Sequence, residues 1–205
     1  MAVTTLTLPP ARLERWVENF TARHGDTTLA VSDGRLTGAA VDGSTFAAAL
    51  PFSRSYTGAA DVVAFLGSTA PPGDWAVLLV RKGGFAVARL QGPTTTASKV
   101  GQRHVQGRTK AGGQSQQRFA RRRDNQARAA YEAAADHAAR LIADAGLVVI
   151  GGDQGAVTAV LEDPRLRRLA GAVAGTFLTV PDPRRGVLEG AVEEASSVTM
   201  SVVNT

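Results

Sequence analysis

The sequence predicts an α/β protein in two parts: a small N-terminal α/β subdomain over residues 1–70 and a larger unit over residues 71–205. Three observations carry this reading. Residues 75–80 are a continuous apolar run, and Gly83-Gly84 then turns the chain into a second strand at 85–90; unbroken apolar runs mark buried strands, and a short glycine turn joins two of them as a hairpin. Residues 116–142 hold no Gly or Pro and are rich in Ala, which predicts one helix of roughly 40 Å. Beyond it, short apolar strands and amphipathic helices alternate, the order of an α/β layer.

The elements follow in order. Pro9-Pro10 opens a helix in which Leu13, Trp16, Val17 and Phe20 recur at i, i+3, i+4 and i+7, and Gly25 stops it. Residues 28–31 and 36–41 flank Ser32-Asp33-Gly34-Arg35 and predict a hairpin. A third short strand at 44–50 and a short amphipathic helix at 61–66 complete the first part. Residues 68–73, Ser-Thr-Ala-Pro-Pro-Gly, read as a linker.

In the second part, residues 95–106 are rich in Thr, Val and Gln and predict a third strand leading to a loop at 107–114. That loop holds three glycines and no apolar residue except Ala111, so it is expected to be exposed. Ser115 is placed as the N-cap of the long helix. Phe119, Ala127, Ala130, Ala134, Ala138 and Leu141 define its inner face, with Arg118, Arg121, Arg122 and Arg128 lying elsewhere, towards solvent or a partner. Residues 147–150 form a short apolar strand closed by Gly151-Gly152. Helices at 156–161 and 166–169, a strand at 176–180 and a helix at 188–195 finish the pattern.

Composition narrows the class. The 205 residues are 44% hydrophobic but only 5% aromatic, so the core is built mainly of Val, Leu and Ala. There is no cysteine, which excludes disulfides and thiol chemistry and suits a reducing cytoplasm. The N-terminus lacks the basic start and apolar run of a signal peptide, and no apolar run is long enough to cross a bilayer. A soluble cytoplasmic protein without a membrane partner is expected.

The net charge of +5 is local. Residues 99–128 hold nine Lys and Arg against the single acid Asp124, whereas the rest of the chain has 14 basic and 17 acidic residues. Clustered basicity of this kind is the footprint of a polyanion-binding site. At its centre stands Gly112-Gly113-Gln114. Two glycines let the backbone approach a partner closely, and the Gln offers an uncharged amide with two N–H donors and one acceptor oxygen. The three histidines, His24, His104 and His137, have no metal-ligand spacing.

The segment Gly-Arg-Thr-Lys-Ala-Gly-Gly-Gln-Ser-Gln-Gln-Arg-Phe-Ala-Arg-Arg-Arg, residues 107–123, resembles the catalytic motif of the class-I peptide release factors of archaea and eukaryotes. In that family Gly-Gly-Gln-Ser is likewise followed by Arg-Phe-Ala-Arg and a long helix. The hairpin at 75–90 and Gly-Leu-Val-Val-Ile-Gly-Gly at 146–152 stand in the order of that family's middle domain, so the resemblance covers about residues 74–200. A codon-reading domain and a domain for the partner GTPase have no counterpart here. The chain is therefore more similar to the Vms-like release factors, whose actinobacterial members are short, Arg-rich, stand-alone peptidyl-tRNA hydrolases.

The resemblance implies a ribonuclease-H-like mixed sheet with flanking helices for residues 71–205, and ester hydrolysis of peptidyl-tRNA on stalled ribosomes or large subunits. It assigns catalysis to Gln114 with Gly112 and Gly113, and RNA binding through the basic loop and helix to Arg108, Lys110, Arg118, Arg121, Arg122 and Arg128. No cofactor, no metal, no DNA partner and a monomer when free are expected. A glutamine has no pKa suited to acid–base work near neutrality, so Gln114 is given a geometric role: positioning water, with its backbone N–H facing developing negative charge. Two other readings keep the same loop: an endonuclease cutting the tRNA 3′ CCA end, and a ribosome-binding factor without catalysis. A ribonuclease-H-like fold directs attention to metal-binding carboxylates; Asp74 is read as a turn residue and Asp153 as a helix cap.

Overall fold

The computed structural model describes residues 3–102 and 114–205, with the backbone alone over 114–126. The chain divides into two compact units, residues 1–71 with 192–205 and residues 72–191. The elements in chain order are β1 (Val3–Leu8), α1 (Leu13–His24), β2 (Thr27–Ser32), β3 (Arg35–Ala40), β4 (Thr45–Ala49) and α2 (Val62–Gly67). Then come β5 (Trp75–Arg81), β6 (Gly84–Gln91), β7 (Thr94–Gln102), α3 (Gln114–Leu141), β8 (Val148–Gly152) and α4 (Gln154–Leu161). The chain ends with α5 (Arg167–Ala170), α6 (Arg185–Ala195) and β9 (Val198–Val203).

The first unit is a five-stranded antiparallel sheet in the order β1-β9-β4-β3-β2. The apolar stripe of α1 buries Leu13, Val17 and Phe20 in one core with Leu36, Phe46, Phe65, Val198 and Met200. Trp16, Phe20 and Phe46 interlock through ring contacts of 5.1 to 5.5 Å. Asp61 caps α2 by accepting from the Ala64 N–H at 2.8 Å.

The expectation of a second unit running from 71 to 205 is corrected here. Residues 192–205 group with the N-terminal unit, because β9 lies between β1 and β4 and bonds to both. Neither β1 nor β9 was expected. The predicted strand at 176–180 is also absent: Leu178 makes a single parallel bridge to Gly151 and no ladder. Pro181, with no N–H to donate, follows at once.

The second unit has the mixed sheet expected of it. Its order is β7-β6-β5-β8, with β5, β6 and β7 antiparallel in sequence and β8 parallel to β5. The crossover between β7 and β8 contains α3, as a parallel connection requires. On one face, Ala76, Leu78 and Val80 of β5 and Phe85 and Val87 of β6 form a core with Ala134, Ala138 and Ile142 on α3 and its end, and with Val157 and Val160 on α4. The alternate residues Trp75, Val77 and Leu79 are buried as well. Burial of both sets accounts for the unbroken apolar run read in the sequence.

Candidate functional site

The basic segment lies in the sequence between β7 and α3, and these two elements fix where its ends are rooted. β7 is an edge strand whose Thr94, Thr95, Thr96, Ser98, Lys99 and Gln102 are exposed. Opposite Phe85 it carries Gly101, where a Cβ would stand 2.3 Å from the Phe85 ring. The glycine makes room for the ring, which stacks on His137 of α3 at 5.3 Å between centroids. Phe85 therefore ties the last turn of the hairpin to the helix.

The C-terminal half of α3 is held firmly. Ala130, Ala134, Ala135 and Ala138 are buried, and side chains this small let the helix lie close on the sheet. At its end, Arg89 of β6 donates to Asp74 at 2.9 Å and to Asp144 at 2.7 Å, with a weaker bond to the Leu141 carbonyl. These hydrogen bonds, the one to Asp74 foremost, raise the Arg89 pKa further; the Arg89 bond likewise lowers that of Asp144. Asp74 also accepts from the Gly146 N–H, so it is a structural ion-pair partner rather than a plain turn residue. Arg165 clamps the distal half of the helix, bonding Asp136 at 2.8 Å and Asp163 at 2.7 Å. That bond holds the Asp163 carboxyl at about 2.

Of the residues assigned from sequence, Arg108, Lys110, Gly112 and Gly113 lie outside the described residues. Gln114 is the first residue of α3, and Arg118, Arg121 and Arg122 fall in its first turns. Ser115 is thus inside the helix and not its cap. Arg128 is exposed and borders a cleft of about 560 Å³ with Lys82, Tyr131, Glu132, Glu162 and Asp163. Burial, and secondarily the charge of Asp153, raises the Tyr131 pKa. Asp153 caps α4 through the Ala156 N–H at 3.0 Å, as read from sequence.

Among the described residues no three His, Asp or Glu side chains gather in a way that would hold a metal ion. His24 pairs with Asp42 at 2.9 Å in the first unit, and His104 lies outside the described residues. Sequence reading passed over the surroundings of His137, where Lys99 and Arg140 converge from different elements; only the fold brings residues 99 and 137 together.

Residues 73–201 match the model of the Actinobacteria/chloroflexi VLRF1 release factor family. That span is more than half of the chain and contains the Gly-Gly-Gln segment, the hairpin before it and the helix after it. The chain belongs to this release factor family. Among solved structures it is similar to the archaeal translation termination factor aRF1, with 12% identity and a TM-score of 0.44, covering 94% of this chain and 64% of that one. It is also similar to Pelota of Archaeoglobus fulgidus, with 10% identity and a TM-score of 0.30, covering 95% of this chain and 63% of that one. The chain thus spans less than two thirds of the length of either. No curated protein matches it. Among the described residues of this release factor, no helix is long and apolar enough to cross a membrane.

Proposed function

We propose that this release factor family member is a cytoplasmic peptidyl-tRNA hydrolase that frees nascent chains from tRNA on stalled large ribosomal subunits, with Gln114 as its catalytic tip. The observation that carries the reading is the family match across residues 73–201, which contains the whole of the 107–123 motif. The architecture of the second unit supports it. The motif runs between an exposed edge strand and a helix of 28 residues, about 42 Å, whose distal half is fixed in a core.

Hydrolysis of the peptidyl ester needs a positioned water and stabilisation of the oxyanion or the leaving ribose hydroxyl. Gln114 acts without titrating: its side chain orders water, and its backbone N–H donates to the developing charge. The proton passes to water or to RNA hydroxyls, so the free protein is a poor esterase without RNA. Gly112 and Gly113 allow the close approach. Arg108, Lys110, Arg118, Arg121, Arg122 and Arg128 contact phosphates of tRNA or ribosomal RNA and set orientation.

The test is incubation of the full chain with stalled large subunits carrying labelled nascent peptide, followed by analysis of both products. Released peptide with tRNA bearing an intact CCA end is expected, and Gln114→Ala is expected to slow release by about 10²-fold or more while binding persists. A shortened tRNA would replace this reading with endonuclease action. Release unaffected by Gln114→Ala would remove the catalytic role altogether.

A further inference from the structure

We propose that Lys99, His137 and Arg140 form a second RNA phosphate contact on the distal half of α3, remote from Gln114. The inference rests on the reading of this chain as an RNA-binding release factor, and adds a site that the sequence motif does not contain.

The three side chains come from two elements. Lys99 is exposed on β7, in register with Val87 of β6 and hence on the sheet face turned to α3. His137 and Arg140 lie one turn apart on the helix. Phe85, Lys99, Gly101, Gln102, Ala133 and His137 surround a recess of about 180 Å³ between the strand and the helix. Gly101 leaves that recess open, and the Phe85 ring forms its floor by stacking on the imidazole.

The charge balance points to an anion. Neither Lys99 nor Arg140 makes a salt bridge among the described residues. Arg140 instead donates from Nη2 to His137 Nδ1 at 2.9 Å and from Nε to the Asp136 carbonyl at 3.2 Å. A guanidinium can only donate, so a ring nitrogen of His137 accepts from it, with Nδ1 at 2.9 Å nearer than Nε2 at 3.4 Å. Asp136, the acid beside His137 in sequence, is engaged by Arg165 at 2.8 Å. The His137 pKa is lowered by partial burial first, then by the charges of Arg140 and Lys99, with Asp136 opposing. Lys99 and His137 line one recess and Arg140 bonds the ring, so a phosphate oxygen that enters there would meet donors from both elements and be stabilised by them. Lys99 also begins the stretch of nine basic residues against one acid, so RNA suits the site better than an acidic peptide. His137 is 23 residues from Gln114, about 35 Å along the helix, too far to share the phosphates at the acceptor end.

The experiment measures binding of the full chain to deacylated tRNA and, separately, to vacant large subunits over a range of salt. Lys99→Ala with Arg140→Gln is compared with the unaltered protein, and thermal unfolding of both confirms the fold. The double variant is expected to bind about tenfold more weakly at low salt and to lower the slope of log affinity against log salt by about 1. Lys99→Arg should retain both. Loss confined to tRNA identifies tRNA as the source of the phosphate; loss confined to subunits identifies ribosomal RNA. On binding, the His137 imidazole resonances should titrate at higher pH. Unchanged affinity and slope on both RNAs, or no binding of the unaltered protein to either, would overturn the site. A protein that binds in this way but releases no peptide would instead overturn the hydrolase reading and leave the phosphate contact standing.

Discussion

The two halves of α3 follow different rules. Residues 127–141 hold eight alanines in fifteen positions, whereas residues 114–126 hold one alanine and four arginines in thirteen. Both halves are helical, and Ala and Arg are both strong helix formers. Propensity therefore does not separate them; their partners do. The distal half meets a sheet and needs short side chains to lie close to it. On the proposed function, the four arginines of the proximal half meet a polyanion. One element can thus be an anchor at one end and an instrument at the other, and the change of composition marks where the first task ends.

The comparison breaks most severely if the anchor is overfilled. Ala138 is fully buried against the sheet, and Ala138→Leu adds three heavy atoms where none fit. Overpacking of this kind costs about 1–3 kcal/mol, expected as a lower denaturation midpoint with an unchanged slope. A midpoint equal to that of the unaltered protein would mean that the distal half is not closely packed.

A smaller effect sharpens the other half. Replacing Arg118 and Arg122 together by Gln preserves helix propensity and removes two cations. Stability is expected to stay within about 0.5 kcal/mol, while the salt dependence of binding to large subunits falls by about 2 in log–log slope. If stability falls and binding does not, the two halves have been assigned the wrong way round.

Much of this was legible in the sequence, for reasons that are local. Helix α1 was readable from its stripe of Leu13, Trp16, Val17 and Phe20 and the stop at Gly25, and β5 from its unbroken apolar run. β1 and β9 were not, since they pair with each other across 190 to 200 residues, Val3 opposite Val203 and Leu8 opposite Val198. Nothing within six residues of Val3 announces that pairing, and the domain boundary was misplaced in consequence. At the site, Gly112, Gly113 and Gln114 stood out because the motif is contiguous. Lys99, His137 and Arg140 did not, because a strand register and a helix crossing must both be known before they meet.

The smallest effect expected concerns the clamp at the middle of the anchor. Asp163 accepts from the Arg165 backbone N–H at 2.9 Å and its guanidinium at 2.7 Å, and Arg165 reaches on to Asp136 of α3. With the Asp163 carboxyl held at about 2 in the folded chain against about 3.9 when unfolded, the unfolded state takes up the proton first as pH falls. The stabilisation is therefore complete above about pH 4 and disappears between that value and about 2. Asp163 is only partly buried and Arg165 is exposed, so solvent and salt screen the pair and the contribution is modest. Asp163→Asn should flatten the acid limb of the stability–pH profile slightly without moving its neutral plateau much, and added salt should do the same to the unaltered protein. An acid limb identical in both proteins would show that the Arg165 bridge does not help to hold the helix, and that the alanine contacts alone make the distal half an anchor.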